Sequence, residues 1–249
     1  MKTKLTILII IFSTVVFCPA PALAQEDNNW NFELAPLYLW AINIDGETGI
    51  RGQTASTEVD FGDIYDSLQG VFTVRFNAIY MQKFGMVLDY NYLNLGTETQ
   101  TGVVDIETSL KTQILNLAAT YRLMDGMYTL DAVAGIRYTA MGVDIDFIGT
   151  GLNIDEDEDW ADPIVGARYA YQMTDKWTLR LYGDIGGFGV SSNFTWQGVG
   201  LIDFQPWKHV AIVAGYRVID TDYESGSGSD KFTYDARVHG PLVGLDIRF

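Results

Sequence analysis

The sequence repeatedly alternates between apolar and polar residues with a period of two. Between Tyr128 and Tyr138, the even-numbered positions carry only apolar or aromatic side chains, while the odd-numbered positions include a threonine, an aspartate and an arginine. The stretches 72–80, 177–184 and 210–218 divide in a similar way. Successive side chains of a β-strand point to opposite faces, whereas a helix repeats every 3.6 residues. The pattern therefore predicts an all-β chain whose strands have one apolar and one polar face.

The first residues have the composition of a secretory signal. Two lysines precede an apolar run, residues 5–17, and Ala22-Leu23-Ala24 supplies the small residues of a cleavage site. We expect residues 1–24 to be a cleaved signal peptide and residues 25–249 to be the exported domain. The only cysteine, Cys18, lies inside the signal and lacks the small preceding residue of a lipoprotein site. The exported chain is therefore predicted to have no disulfide and no lipid anchor.

Charge and composition exclude two classes of protein. The sequence has 16 Lys and Arg against 32 Asp and Glu, a net charge of −16, and 48% of its residues are hydrophobic. An acidic chain of this kind repels nucleic-acid phosphates, so we predict no nucleic-acid partner. A chain so rich in apolar residues is not disordered. Its charges must therefore be segregated from its apolar surface.

Two architectures fit the alternation: a soluble sandwich with its apolar faces inward, and a transmembrane barrel with its apolar faces towards lipid. Sandwiches have turn signals every 8–12 residues, whereas membrane barrels alternate tight turns with longer loops. The sequence has the second spacing. Tight turns are predicted at 83–85, 124–127, 174–176 and 206–208. Longer connections, mostly acidic, are predicted at 43–68, 97–104, 145–160 and 221–231.

We predict an antiparallel, up-and-down transmembrane β-barrel of about ten strands. An even number places both chain ends on one side of the membrane, as in single-chain bacterial barrels, and eight or twelve strands remain alternatives. The connection 43–68 could add a hairpin above the membrane. Aromatic rings near the strand ends, including Trp40, Tyr128 and Tyr216, are expected at the lipid interface. The strands are predicted at 30–42, 69–83, 86–97, 104–123, 128–144, 160–173, 176–190, 193–206, 208–222 and 231–249.

The last strand carries apolar residues at alternate positions up to the final residue: Val243, Leu245, Ile247 and Phe249. Chain ends are usually frayed and polar, so this pattern predicts an end that is held in a sheet. A final strand ending in phenylalanine resembles the signal that the bacterial outer-membrane insertion machinery reads. The resemblance implies that this machinery is a partner during biogenesis.

Longer stretches extend the resemblance over most of the chain. The segments LWAINIDGETGIRG (39–52), DWADPIVGARY (159–169), GDIGGFGVSSNFTWQ (183–197), GYRVIDTDY (215–223) and HGPLVGLDIRF (239–249) resemble a widespread family of Gram-negative outer-membrane β-barrel proteins without an established activity. The layout is more distantly similar to the OmpA-like and OmpW-like barrels. The resemblance implies an integral outer-membrane protein in contact with lipid and lipopolysaccharide.

The polar faces of the predicted strands carry both arginines and aspartates, which would point into the barrel. Charges buried in a narrow lumen must be paired, so the set predicts a network of ion pairs that fills the interior. The same residues could instead line a constriction that selects ions or small solutes. The predicted network consists of Arg75, Asp89, Asp131, Arg137, Asp162, Arg168, Arg180, Asp184, Arg217, Asp246 and Arg248.

One run of acidic residues suggests a divalent-cation site, because hard cations take several carboxylate oxygens. The run lacks the spaced ligands and the glycine of an EF-hand loop, so a solvated loop is the competing interpretation. Acidic loops among anionic lipopolysaccharide would also need bridging divalent cations, which we therefore expect as partners. The residues of the run are Asp155, Glu156, Asp157, Glu158 and Asp159.

Catalytic motifs are not apparent in the sequence. The two histidines, His209 and His239, have no serine-containing motif nearby, and no GxSxG, HExxH or P-loop sequence is present. We predict no cofactor and a non-enzymatic barrel with acidic extracellular loops and a structural or surface-interaction role. A narrow passive channel is the alternative, and a lipid-modifying enzyme is a third hypothesis. A plugged lumen would favour the first, a continuous water path the second, and a His–Ser or His–acid contact at the lipid boundary the third.

Overall fold

The structure, a computed structural model, describes residues 29–36, 38–50, 53–100, 105–148, 150 and 152–249. The predicted signal peptide lies outside these residues. The chain forms a closed antiparallel barrel of ten strands, which confirms the predicted fold and strand number. The strand segments are β1 (Trp30–Ala35), β2 (Tyr38–Trp40), β3 (Asn43–Ile50), β4 (Gln53–Val59), β5 (Leu68–Tyr80), β6 (Phe84–Gln100), β7 (Asp105–Met124), β8 (Tyr128–Ile148), β9 (Leu152–Gln172), β10 (Trp177–Gly186), β11 (Phe194–Phe204), β12 (Val210–Ser225) and β13 (Phe232–Arg248).

The first strand of the barrel consists of three segments, β1 to β3. Pro36 follows β1 directly, and a proline nitrogen cannot donate to a β-ladder. β1 pairs with both β5 and β13 and so closes the barrel. After the proline, β2 pairs with β13, and β3 pairs with β13 and β4. Phe249 completes the closure through reciprocal backbone hydrogen bonds with Phe32, at 2.8 and 3.1 Å.

The two ends of the barrel differ in the length of their connections. The end that holds β1 and Phe249, here called the inner end, has short connections at the predicted tight turns. At the opposite, outer end, β7, β8 and β9 extend to 20 and 21 residues. The predicted loop at 145–160 is wrong, because β8 and β9 stay paired as far as Phe147 and Leu152. The extra hairpin expected inside 43–68 is present as β3 and β4.

One short helix, α1 (Phe61–Ser67), lies at the outer end between β4 and β5. Its buried Ile64 packs into a cluster with Trp160, Tyr223 and Tyr234, which point into the outer end of the lumen. The sequence pattern does not predict this helix. Within the part of the chain that the structure describes, no helix combines the length and the apolar character needed to cross a membrane.

The apolar faces of the strands point outward and form a band around the barrel. In β8, the outward side chains from Tyr128 to Tyr138 are apolar or aromatic, and Asp144 and Asp146 follow on the same face. At about 3.4 Å per residue and a tilt of about 40°, this stretch spans about 25 Å, the height of the apolar band in outer-membrane barrels. The lipid-facing surface therefore ends near Tyr138.

Aromatic rings mark the inner edge of the band, as predicted. Trp177 stacks on Phe204, and Tyr128 on Tyr171, with ring centroids 4.5 and 4.8 Å apart. The expectation for Trp40 is wrong, because this side chain points into the lumen and is only 8% exposed. Its place in the interior follows from the parity of β2, in which the neighbouring Leu39 takes the lipid-facing position.

Candidate functional site

The middle of the lumen is filled by a network of buried polar side chains around Arg137. The Arg137 side chain, which is 1% exposed, donates two hydrogen bonds of 2.8 Å to the carboxylate of Asp184. Its Nε donates to Asn116 Oδ1 at 2.9 Å, and Nη1 donates to Thr195 Oγ1 at 3.0 Å. These partners satisfy the guanidinium group within the barrel, as a buried charge requires.

Gln197 joins this group to a second buried arginine, Arg217. Gln197 Oε1 accepts hydrogen bonds from Arg137 at 3.2 Å and from Arg217 at 3.0 Å. Arg217 also contacts the Asp89 carboxylate at 3.3 Å and donates to the Tyr38 hydroxyl at 3.0 Å. These hydrogen-bonded side chains connect strands on all sides of the lumen and are here called the central network. They are Tyr38, Asp89, Asn116, Arg137, Asp184, Thr195, Gln197 and Arg217. The charged members were predicted from the sequence, whereas the uncharged ones were missed: Tyr38, Asn116, Thr195 and Gln197.

A second group of charges lies at the inner end. Arg180 contacts Glu33 and Asp203 at 2.5 Å and Asp246 at 3.3 Å. Arg248 pairs with Asp203 and lies 4.0 Å from Asp246. Sequence analysis predicted three of these five residues. Glu33 and Asp203 were missed. Each occupies one of the alternate positions whose side chains point into the lumen, and this alternation is the signal that would have identified them.

A third group surrounds Asp131. Its carboxylate accepts from Arg122 Nε at 2.7 Å and from Arg168 Nη2 at 2.8 Å. Arg168 also donates to Asn77 Oδ1 at 3.3 Å.

Arg75 belongs to the central network, because its Nε donates to Asp89 Oδ2 at 2.9 Å. The structure thus brings ten of the eleven predicted network residues into ion pairs.

Asp162 is the exception. This fully buried carboxylate accepts hydrogen bonds from the backbone N–H of Ser192 at 2.8 Å and from its hydroxyl at 2.6 Å. It therefore holds the glycine- and serine-rich turn between β10 and β11 instead of joining the charge network. The prediction for Asp162 is corrected accordingly: the cross-strand partner Arg137 reaches past it to Asp184.

The lumen changes character beyond the central network. On the inner side a small cavity of about 90 Å³ has a mixed lining, in which charged side chains such as Arg75 and Arg168 stand beside apolar ones such as Val133 and Leu201. On the outer side a cavity of about 1060 Å³, here called the chamber, is lined mainly by apolar side chains. Trp40 lines the chamber, and its ring lies 4.8 Å from the guanidinium carbon of Arg217 in the central network. Sequence analysis did not predict the chamber.

A change of parity in β8 is the signal for the chamber. Up to Tyr138 the outward residues are apolar, but beyond it the inward residues Met141 and Val143 are apolar while Asp144 points outward. Lipid covers the first stretch, whereas water surrounds the second. The apolar side chains therefore lie on the outer face of the strand in the first stretch and on its inner face in the second. The alternation thus reverses where the strand leaves the membrane.

The acidic run lies in the extended part of β9, outside the apolar band, and its side chains alternate between two faces. Asp155, Asp157 and Asp159 point outward, whereas Glu158 points inward and accepts from Ser225 at 3.1 Å. Among the described residues, no three His, Cys, Asp or Glu side chains converge as metal ligands. The structure therefore does not bring the predicted cation site together.

Like charges face each other across this extension. Asp144 and Asp155 are directly opposed in β8 and β9, and the Asp144 carboxylate raises the pKa of Asp155 above its usual value. The opposed carboxylates of Asp144 and Asp155, with Asp157 close by, concentrate negative charge at this part of the outer end.

One histidine contacts an acid at the outer edge of the lipid band. His239 Nε2 lies 2.6 Å from Asp45 Oδ2, and Nδ1 lies 2.5 Å from the Tyr216 hydroxyl. Tyr216 is 44% exposed on the outward face of β12. The hydroxyl group at the imidazole belongs to a tyrosine, so the contact is not the serine arrangement of a hydrolase. His209 lies at the inner end, with Nδ1 2.9 Å from the carbonyl of Arg248.

The predicted insertion signal occupies the outward face of the last strand. Val243 and Phe249 are 47% and 57% exposed, and their neighbours Asp246 and Arg248 point inward. The Phe249 ring lies 6.1 Å from that of Phe32 across the closing seam. Recognition of these residues by insertion machinery stays a prediction.

The sequence matches no protein-family model and no curated protein. Solved structures do match. The outer-membrane protease OmpT of Escherichia coli is 9% identical, covers 92% of this chain and 99% of its own, and superposes with a TM-score of 0.59. Ail of Yersinia pestis is 11% identical over 88% of this chain and 97% of its own, with a TM-score of 0.41. OprG of Pseudomonas aeruginosa is 13% identical over 89% of this chain and 97% of its own, with a TM-score of 0.39.

The chain therefore has the fold of the small outer-membrane β-barrel proteins of Gram-negative bacteria. Within that class it is a ten-stranded barrel with an ion-paired inner lumen and an apolar outer chamber. Its apolar band and closed barrel are those of an integral protein of the bacterial outer membrane.

Loss of either partner of the Arg137–Asp184 pair is expected to destabilise the barrel. Arg137→Ala leaves a buried carboxylate without its partner, which costs about 3–5 kcal/mol of unfolding free energy. The measurement is the urea midpoint of the barrel in lipid vesicles. Lys111→Ala, which breaks the exposed pair with Asp144, is the control and should cost about 0–1 kcal/mol. Equal losses in both variants would contradict the prediction.

Proposed function

We propose that this protein is a non-enzymatic, non-conducting outer-membrane barrel that acts at the cell surface through its acidic outer end. The observation that carries the proposal is the central network, which fills the lumen between the inner cavity and the chamber. Arg137 and Arg217, which are 1% and 0% exposed, stand at its centre.

The network argues against a passive channel on energetic grounds. A conducting pore must hold ions weakly enough to release them along a continuous polar path. Here the arginines are bound to carboxylates and amides at 2.8–3.3 Å, so a passing ion would have to break buried, charge-assisted hydrogen bonds. The apolar chamber above the network adds a second barrier to ions, since it offers few polar groups to replace their hydration shell.

The outer end supports a role at the surface. Asp155, Asp157 and Asp159 point away from the barrel above the lipid band, beside Asp144 of the neighbouring strand. In the outer membrane these carboxylates face anionic lipopolysaccharide. Divalent cations that bridge the two sets of anions would relieve the repulsion and attach the barrel to its lipid surroundings. The divalent cation is then shared between protein and lipid instead of being held in a protein site.

The closed lumen predicts electrical silence. Protein purified from outer membranes and inserted into a planar bilayer should give no unitary conductance steps, with or without millimolar calcium. The variant Arg137→Ala with Arg217→Ala removes the two side chains that fill the middle of the lumen and leaves only the chamber as a barrier, so its conductance should exceed that of the unmodified protein. Reproducible steps from the unmodified protein, altered in size by Arg168→Ala, would support the passive channel and overturn this proposal.

The surface role predicts calcium-dependent binding to lipopolysaccharide. Detergent-solubilised protein should sediment with lipopolysaccharide aggregates in millimolar calcium, and a variant with Asp155, Asp157 and Asp159 all changed to Asn should lose most of this binding. Asp175→Asn, in an exposed inner-end turn, is the control for loss of a carboxylate. Binding that is independent of calcium, or that the triple variant retains in full, would contradict the surface role.

A lipid-modifying activity is the second candidate, because His239 contacts an acid at the lipid boundary. OmpT is a protease, but a likeness at 9% identity concerns the fold alone. The test is to incubate the protein with phospholipid and lipopolysaccharide and to measure released fatty acid by mass spectrometry. The non-enzymatic proposal expects none. Release that is abolished by His239→Gln and retained by His209→Gln would establish the second candidate instead.

A further inference from the structure

The chamber has the size and lining of a ligand site. Its volume of about 1060 Å³ is slightly above the range of about 300–1,000 Å³ that is typical of ligand pockets. The inner wall is formed by apolar side chains such as Leu110, Ile114, Met141 and Val143, with a few threonine hydroxyls between them. Trp40 forms the floor against Arg217.

The wall of the barrel is interrupted beside the chamber. Pairing between the first strand and β5 ends at Ala35 and Arg75, and in the described residues β5 has no paired strand on that side beyond this point. Instead, the backbone N–H of Tyr38 donates to Thr73 Oγ1 at 2.9 Å, and the Thr73 hydroxyl donates to the Tyr38 carbonyl at 2.5 Å. A side chain thus stands where the backbone ladder would continue, and it holds β2 and β5 apart.

The interruption faces lipid. The residues that line the chamber at this point include Leu39, Pro241 and Val243, which point outward. Leu39 and Val243 are each 47% exposed on the apolar outer surface and are paired in β2 and β13. The chamber therefore extends from the lumen to the lipid-facing surface, and the edge of this opening is itself apolar.

We propose that the chamber binds a single hydrocarbon chain of an amphiphile, which enters sideways from the outer leaflet between β2 and β5. The hydrocarbon chain lies along the apolar wall of β6, β7 and β8, above the floor that Trp40 forms. Its polar end stays outside, beside His239, which is two residues from Pro241 on the same face of β13. This site is distinct from the ion-paired lumen and from the acidic outer end.

The chemistry of the site favours a hydrocarbon chain over a polar solute. A sugar, peptide or ion would leave its hydrogen bonds unsatisfied against Leu110, Met141 and Val143, which costs more than burial of CH₂ groups gains. The lipid-facing opening also gives the hydrocarbon a continuous apolar path. The same chemistry is present in the acyl chains of a membrane lipid and in a free fatty acid, so a phospholipid and a fatty acid are both needed as probes.

Photo-crosslinking tests the proposal. The protein, purified from outer membranes and reconstituted in vesicles, is irradiated with one of two probes: a phospholipid with a diazirine in the middle of one acyl chain, or a free fatty acid with the same diazirine. We expect adducts on the inward residues Leu110, Met141 and Val143, which lipid outside the barrel cannot touch. Adducts from the phospholipid identify a membrane lipid as the source, and adducts from the acid alone identify a free amphiphile.

Two valine variants provide a matched comparison. Val143→Trp fills the chamber and should lower the adducts on Met141 several-fold, whereas Val165→Trp, on the lipid-facing surface, should leave them unchanged. Folding of each variant is checked by its heat-dependent mobility in gel electrophoresis. If Val143→Trp does not fold, the adduct positions in the unmodified protein decide. Adducts confined to outward residues such as Ile136 and Val165, or inward adducts that a folded Val143→Trp leaves unchanged, would overturn the proposal.

Discussion

The bridge that Gln197 makes between Arg137 and Arg217 is the interaction on which the interior of this barrel depends. Two guanidinium groups with almost no exposure to water would repel each other and would each be expensive to bury alone. One amide oxygen accepts from both, while Asp184 and Asp89 supply a carboxylate for each. The strands on opposite sides of the lumen are thereby joined through side chains as well as through the backbone ladder.

This arrangement divides the barrel into two compartments with opposite chemistry. Below the central network, polar side chains fill the lumen and bond to one another; above it, the wall becomes apolar and the cavity widens to about 1060 Å³. Trp40 belongs to both, since one face meets the Arg217 guanidinium and the ring lines the chamber. The fold is thus shared with other outer-membrane barrels, whereas the division of the lumen is set by the side chains of this chain.

Most of the fold could be predicted from period-two alternation, because lipid on one face and a polar lumen on the other impose it on every strand. The parity that places Arg137 inward and Ile136 outward is readable without a structure. The ion-pair partner of each charged side chain cannot be predicted in this way. Asp162 is paired with Arg137 in the strand register, yet its carboxylate binds Ser192, because the direction of each side chain decides between neighbouring partners. The chamber was missed because the alternation reverses beyond Tyr138, and an averaged pattern conceals such a reversal.

The segmented first strand has a consequence for the order in which the barrel forms. β13 pairs in turn with β1, β2 and β3, so contacts such as Glu33 with Arg248 join positions separated by almost the whole described chain. Contacts of such sequence separation form slowly, because the loop between them must be closed before they contribute. Before β13 is in place, β1 can pair only with β5, and β3 only with β4. Closure of the sheet into a cylinder therefore depends on β13, and the backbone hydrogen bonds of Phe249 with Phe32 belong to that closing seam.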